Sequence, residues 1–206
     1  MGVSVWLTGL VCNRPYWAAA AALTAAVAAG CCVVKMRARS RLALLIAAAD
    51  GGHAASQFVL GNMHLNGDRV AADVDRGVRY LKMAAEQGHA DSQCALGCLY
   101  CMGGRAVQYG GALRYFNLAA AQGHTEALYF LGDLLLGSST PNIVQAVACF
   151  QQAAAQGHAQ AQYTMGVRHS QGDGVARDDV RAVEYFKMAA EQGYAGAAQS
   201  LGRLLA

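Results

Sequence analysis

Three cysteines near the middle of the chain have a spacing that occurs in metal-cluster ligand sets. Cys94, Cys98 and Cys101 form the pattern C-x3-C-x2-C, and three thiolates at such a spacing can hold an iron–sulfur cluster. Cluster cysteines usually lie on a loop that wraps the cluster, whereas residues at i, i+4 and i+7 share one face of a helix. We therefore expect these cysteines to pack on a helix face. We predict no metal-binding, cofactor-binding or catalytic residues in the chain.

Four histidines recur at nearly equal intervals, which would also suit a metal-binding or catalytic series. Each of them follows a glycine: they are His53, His89, His124 and His158. If each opens a helix in a series of stacked helix pairs, neighbouring copies lie roughly 10 Å apart. That distance is too large for two of them to share a metal ion. We interpret the four as helix-start residues.

Common sequence motifs of catalysis, phosphate binding and zinc binding do not occur in the sequence. It contains no G-x-S-x-G, P-loop, H-E-x-x-H or paired zinc-ligand spacing. After residue 41 the chain carries 11 basic and 13 acidic side chains without a basic cluster, so no nucleic-acid-binding surface is predicted. The seven cysteines are odd in number, which argues against a complete disulfide framework and favours a reducing compartment.

An uncharged stretch occupies residues 16–34 and reads YWAAAAALTAAVAAGCCVV. As a helix it would be about 28 Å long, close to the thickness of the bilayer hydrocarbon. Tyr16 and Trp17 stand at one edge, and four basic residues between 35 and 41 stand at the other. The sequence therefore predicts an N-terminal segment, 1–40, with a transmembrane helix at about 16–34. By the positive-inside rule the rest of the chain lies on the cytoplasmic or matrix-like side.

Three alternatives to this anchor remain. The first 41 residues contain five basic and no acidic side chains, as mitochondrial targeting segments do. The sequence AAGC at 28–31 loosely resembles a bacterial lipidation site, although the usual leucine is missing. Alanine is only weakly apolar, so a core helix is the third alternative. We prefer the single-pass anchor, and we favour the mitochondrial inner membrane over the endoplasmic reticulum.

The remaining residues, 41–206, are built of repeats. The heptapeptide KMAAEQG occurs at 82–88 and again at 187–193, and the interval equals three periods of 35 residues. Apolar residues recur at helical spacing in both halves of each period, so each unit predicts two helices joined by a loop. The units begin after a glycine and cover 53–88, 89–123, 124–157, 158–193 and, in part, 194–206.

Glycines occupy two fixed positions in these units. The ninth residue of every unit is a glycine, namely Gly61, Gly97, Gly132, Gly166 and Gly202. A glycine inside a helix costs about 1 kcal/mol relative to alanine, so its recurrence predicts a helix contact too close for a Cβ atom. The last residue of each complete unit is also a glycine, which predicts a left-handed helix cap at Gly88, Gly123, Gly157 and Gly193.

The motifs SQxxLGxxYxxG at 92–103 and GDGVARDDVRAVEYFKMAAEQG at 172–193 resemble the Sel1-like repeat family, relatives of the tetratricopeptide repeats with a longer loop. The resemblance covers 41–206 and implies an all-α fold, a right-handed αα superhelix of Sel1-like repeats that follows the N-terminal hydrophobic helix. Two units depart from the pattern. The second lacks the loop aspartate found as Asp73 and Asp178, and the third replaces the loop by GSSTPN.

Solenoids of this class bind partners in the concave groove lined by their first helices. Three positions of the first helix vary between units while the packing positions stay fixed, as expected of a recognition surface. We call them the first-helix face: Phe58, Asn62, Leu65, Cys94, Cys98, Cys101, Tyr129, Asp133, Leu136, Tyr163, Val167 and Ser170. We predict a non-enzymatic, membrane-anchored scaffold or adaptor that binds a protein through this face.

Two other functions remain open. A structural or assembly subunit of a mitochondrial membrane complex would explain an anchored chain without catalytic residues. Some relatives of this repeat class are credited with hydrolytic activity, but these carry paired cysteines across each helix pair, a pattern absent here. The fifth unit has a single helix with LGRLL at 201–205. Its uncovered apolar face predicts a docking partner or a dimer contact.

Overall fold

The computed structural model describes residues 40–102 and 109–205, and within these ranges the chain is helical and has no strand. This confirms the predicted all-α fold. The helices are α1 (Ser40–Asp50), α2 (Ala54–Asn66), α3 (Val74–Glu86), α4 (Ala90–Met102), α5 (Tyr109–Ala121), α6 (Thr125–Leu136), α7 (Ile143–Ala155), α8 (Ala159–Gln171), α9 (Asp179–Glu191) and α10 (Ala195–Leu205).

The chain divides into two units, one that ends at residue 48 and one that begins at residue 49. In the first unit the described residues are 40–48, which belong to α1. The predicted transmembrane helix at about 16–34 lies outside the described residues. Within the described ranges no single helix is long and apolar enough to cross a bilayer, and α1 and α2 meet that requirement only as a bent pair.

In the second unit the helices pack in the order of the chain. Each first helix packs on the second helix of its own hairpin, as α2 does on α3 and α8 on α9. Each second helix also packs on the first helix of the next hairpin, from α3 on α4 to α9 on α10. The hairpins thus bury their apolar faces against their neighbours, which is the organisation of an αα solenoid.

Three phenylalanines of the second helices form the centre of the core. Phe116, Phe150 and Phe186 are at most 2% exposed. Each ring lies against the ninth-residue glycine of its own hairpin, where a Cβ atom would come within 2.5–2.7 Å of ring carbons. The glycines concerned are Gly97, Gly132 and Gly166. The close contact predicted from the sequence is therefore present in these three hairpins, where an aromatic ring makes it. At Gly61 the added Cβ would meet Leu81 and the carbonyl of Gly77, and at Gly202 the prediction is wrong, because nothing in the described part of the chain lies within 4 Å.

The glycines that end the units have the backbone conformation expected of helix caps. Gly88, Gly123, Gly157 and Gly193 have φ between 78° and 89°. At the first of them the amide of His89 donates to the carbonyl of Ala84 at 3.1 Å, a bond that closes the last turn of the helix. The predicted left-handed caps are confirmed.

Side chains at the ends of the loops cap the N-termini of the second helices. An Asp73 carboxylate oxygen accepts from the amide of Arg76 at 2.9 Å, and Asp178 does the same for Arg181 at 3.0 Å. In the third repeat, where the loop reads GSSTPN, the Asn142 side chain accepts from the amide of Gln145 at 3.1 Å. An N-cap residue of a different type thus preserves the helix start.

Buried glutamine side chains join most hairpins to the preceding one. Gln162, which is 4% exposed, donates to the carbonyl of Ala154 at 3.2 Å and accepts from Gln192 at 2.7 Å. The same arrangement recurs with Gln57 and Gln87, and with Gln93 and Gln122. The third repeat differs because Leu128 takes the glutamine position, and its Gln156 accepts instead from the hydroxyl of Thr125.

Candidate partner-binding face and the second repeat junction

The twelve residues of the first-helix face lie on four successive first helices, α2, α4, α6 and α8. Most of them are half-buried, Cys94 is buried and Asp133 is exposed. The face combines apolar side chains such as Leu65 and Val167 with polar ones such as Asn62. Partly exposed side chains of mixed polarity are suited to contact with another protein.

At the fourth repeat the first-helix face lines a groove. Tyr163, Val167 and Ser170 of α8 stand opposite side chains of α10 across a space of about 380 Å³. The lining residues from α10 are Ser200, Arg203 and Leu204. Since Arg203 supplies a positive charge at the rim, the groove offers a guanidinium beside an apolar surface.

The aromatic members of the face also pack on the next repeat. The ring of Phe58 lies 5.1 Å from that of His89, and Tyr129 lies 4.9 Å from His158. Tyr163 lies 5.0 Å from Tyr194. Burial and the neighbouring carboxylate of Asp133 raise the pKa of Tyr129, which keeps its hydroxyl protonated. These rings therefore support the junctions between repeats as well as the surface.

The recurring histidines cap the first helices, as their interpretation as helix-start residues predicts. In each case Nδ1 accepts a backbone amide three residues on, at 3.3 Å from Ser56 and from Ser92, 3.2 Å from Ala127 and 3.1 Å from Ala161. Such a ring is neutral with its proton on Nε2. The cap explains the regular interval without any catalytic role.

The second junction differs from the other three. Cys94 occupies the position that holds an aromatic residue in the other complete repeats, and His124 opens the next helix. The Nε2 atom of His124 lies 3.0 Å from an oxygen of Asp91. Glu126, in the first turn of α6, completes a group in which one donor atom each from Cys94, His124 and Glu126 lies within 4.8 Å of the others.

The three cysteines lie on helix α4 as predicted, with Cys94 buried and Cys98 and Cys101 half-buried. Among the described residues, three side chains lie close enough together to bind one metal ion, and Cys94 is the one cysteine in that group. The C-x3-C-x2-C spacing therefore does not gather three thiols around one point. Sequence reasoning missed His124 and Glu126 as neighbours of Cys94, because thirty residues separate them along the chain.

Hydrogen bonding to Cys98, together with burial, raises the pKa of the Cys94 thiol, and Glu126 and Asp91 act in the same direction. The thiol is accordingly protonated at neutral pH. A cation bound among these groups would lower the pKa of the Cys94 thiol, because it favours the thiolate and neutralises the nearby carboxylates.

Sequentially stacked helical hairpins with a partly exposed first-helix face define this chain as an αα-solenoid repeat protein. The model of the Sel1 repeat matches residues 54–89, 90–124, 125–158 and 159–194, and the chain belongs to the Sel1 repeat family. Proteins of this family generally mediate protein–protein interaction and are generally non-catalytic repeat scaffolds.

The solved structures that are similar to this chain include two that share more than a quarter of their aligned residues with it. One is a protective antigen of uropathogenic Escherichia coli that displays an SLR fold, with 32% identity and a TM-score of 0.75 over 79% of this chain and 36% of the antigen. The other is a Sel1 repeat protein from Oxalobacter formigenes, with 27% identity and a TM-score of 0.69 over 76% of this chain and 64% of that protein. The chain thus spans about a third of the length of the antigen. None of the curated proteins compared with it matches the chain.

Proposed function

We propose that this protein is a membrane-anchored, non-enzymatic scaffold that binds a protein partner along its first-helix face. The observation that carries the proposal is the groove at the fourth repeat. There three of the twelve face residues, Tyr163, Val167 and Ser170, line one continuous space with side chains of α10. The general role of the family in protein–protein interaction supports the same conclusion.

The chemistry of the face indicates what the partner presents. Tyr163, Val167 and Leu204 offer apolar surface that suits a buried aliphatic or aromatic side chain. Arg203 at the rim of the groove and Asp133 on α6 offer charges of opposite sign. A partner segment with an apolar anchor flanked by an acidic and a basic residue would complement this arrangement.

The anchor is proposed from the sequence of residues 16–34, which are uncharged and long enough to span a bilayer as a helix. The basic residues that follow would hold the repeats on the cytoplasmic or matrix-like side. Together with the acid-free N-terminus this favours the mitochondrial inner membrane. On α10, Leu201 and Leu204 pack partly against Phe186 and its neighbours, and a partner subunit or another copy would cover the part of these side chains that stays exposed.

Partner capture tests the face. The full-length tagged protein is crosslinked in its native cells and its partners are identified by mass spectrometry. The double variant Asp133→Arg/Ser170→Arg changes exposed or half-buried face residues, and Glu184→Arg on α9 is a charge-reversal control outside the face. We expect the double variant to lose the partners that the wild type and the control retain. Equal capture by all three would refute the role of the face.

Carbonate extraction of the same cells tests the anchor separately. The full-length protein should stay in the membrane pellet, and Leu23→Lys, which places a charge at the centre of the apolar stretch, should release it. A wild-type chain found in the carbonate supernatant would disprove the anchor and leave the binding face untouched.

A further inference from the structure

At the second junction the first helix does not offer a ring to the residue that opens the next repeat, as it does at the other three; the ring pair there is Phe116 with Phe130, at 5.7 Å. Phe58, Tyr129 and Tyr163 each place a ring within 4.9–5.1 Å of the ring that opens the next repeat. At the second junction a thiol, that of Cys94, stands in this position beside His124. The substitution exchanges an apolar contact for a group of donor atoms.

We propose that Cys94, His124 and Glu126 bind a Zn²⁺ ion that links the second repeat to the third. One donor atom from each residue lies within 4.8 Å of the other two, so a single ion can reach all three after small side-chain movements. A thiolate, an imidazole and a carboxylate are the donor types that zinc prefers in proteins. The three ligands come from α4, the cap of α6 and its first turn, and thus from consecutive hairpins.

Asp91 orients the imidazole of His124 as a zinc ligand. Its carboxylate oxygen lies 3.0 Å from Nε2 of His124, which fixes the ring proton on Nε2. The lone pair is then on Nδ1, where it accepts the amide of Ala127 at 3.2 Å. A carboxylate that receives the second ring N–H is the usual support of a metal-bound histidine. Zinc on Nδ1 would replace the amide as the partner of this lone pair.

The three ligands differ in exposure, so the site is closed on one side and open to solvent on the other. Cys94 is 5% exposed, His124 is half-buried and Glu126 is exposed. An ion can therefore enter from the side of the glutamate and bind with the thiolate on its protected side. Three protein ligands leave the fourth tetrahedral position to water.

Binding has a defined proton balance. The Cys94 thiol loses its proton to solvent as the zinc–sulfur bond forms. One proton is released for each ion bound. Because zinc binds the thiolate and not the thiol, zinc affinity should weaken as the pH falls.

The first experiment titrates the purified, reduced full chain with Zn²⁺ by calorimetry and with Co²⁺ by absorption spectroscopy. We expect one high-affinity ion per chain and the charge-transfer absorption of a cobalt–thiolate bond. Cys94→Ser should remove this absorption and weaken zinc binding on the order of 100-fold. Cys149→Ser, which alters a buried cysteine outside the group, should bind like the wild type.

A second pair of variants separates metal binding from helix capping. Asparagine is a good N-cap residue, so His124→Asn keeps the start of α6 while it removes the imidazole. His158→Asn makes the same change at a junction without the donor group. We expect only His124→Asn to lose zinc. Failure of the wild type to bind one ion, or full binding by Cys94→Ser and His124→Asn, would overturn the proposal.

Discussion

The ring of Phe116 occupies the space that a side chain on Gly97 would need. A Cβ atom built on Gly97 would lie 2.5 Å from Cε1 of Phe116, a distance that real contacts do not reach. The same relationship holds in the next two hairpins, for Gly132 with Phe150 and Gly166 with Phe186. The glycine thus sets the distance between the two helices in these three hairpins, and the phenylalanine fills the gap.

We therefore expect Gly97→Ala to destabilise the fold. Overpacking a well-filled core costs about 1–3 kcal/mol, and the better helix propensity of alanine returns about 1 kcal/mol of this. The free energy of unfolding should fall by up to about 2 kcal/mol, measured by urea denaturation and circular dichroism.

Gly202→Ala is the matched control, because Gly202 is the corresponding glycine of α10 and nothing lies within 4 Å of the added Cβ. It should leave the stability unchanged or raise it by up to about 1 kcal/mol. An equal loss in both variants would show that the ring of Phe116 is not the cause.

The buried amide pair of Gln162 and Gln192 gives a second prediction. Gln162→Leu imitates Leu128 of the third repeat in shape but removes the bonds to the Ala154 carbonyl and to Gln192. We expect a loss of about 1–2 kcal/mol in unfolding free energy, because polar groups buried with Gln162 lose their partners.

Gln160→Leu, two residues earlier on the exposed side of α8, makes the same chemical change at the surface and should alter stability by less than about 0.5 kcal/mol. If the buried variant proved as stable as the exposed one, the hydrogen bonds of Gln162 would contribute nothing to the free energy of unfolding.

The fold could be predicted from the sequence because its determinants are local and repeated. Helical periodicity gave the hairpins, and the glycine that ends each unit gave the caps now seen at Gly88 and Gly193. The recurrence of Gly97 and its equivalents even predicted a close helix contact. Four copies of one pattern reinforce one another, so a departure in one loop does not hide the fold.

Contacts between repeats could not be predicted in the same way. The sequence does not show that Gln162 donates to the carbonyl of Ala154 in the preceding repeat, since this contact depends on how two hairpins approach each other. For the same reason Cys94 was interpreted only with the cysteines next to it in sequence. Its neighbours His124 and Glu126 belong to the next hairpin, and only the stacking of hairpins brings them together.

Buried cysteines should resist modification in the native, metal-free chain. The pKa of the Cys94 thiol is raised by its hydrogen bond to Cys98 and by burial, and burial also raises that of Cys149. Since the thiolate is the reactive form, alkylation by iodoacetamide at neutral pH should be at least about tenfold slower than in urea. Peptide mass spectrometry can follow each site. Equal rates in the folded and unfolded chain would contradict this prediction.

The cap of α8 makes stability depend on pH through His158. Its Nδ1 accepts the amide of Ala161 at 3.1 Å, and its ring stacks on Tyr129. Burial lowers the pKa of His158 and outweighs the opposite effect of Glu126. Because the pKa in the unfolded chain is about 6.5, the unfolded state binds more protons below that pH. The stabilising contribution is complete above about pH 6.5 and is lost as the pH falls through the lower, folded-state pKa.

His158→Asn tests this dependence, because asparagine retains the cap without an imidazole to protonate. Urea unfolding of both proteins between about pH 7.5 and about pH 5.5 should show a steeper loss of stability in the wild type. The difference between the two slopes isolates the contribution of this ring from that of the other caps. Parallel curves would mean that protonation of His158 does not oppose folding, and the cap would then have to persist with a charged imidazole at the positive end of α8.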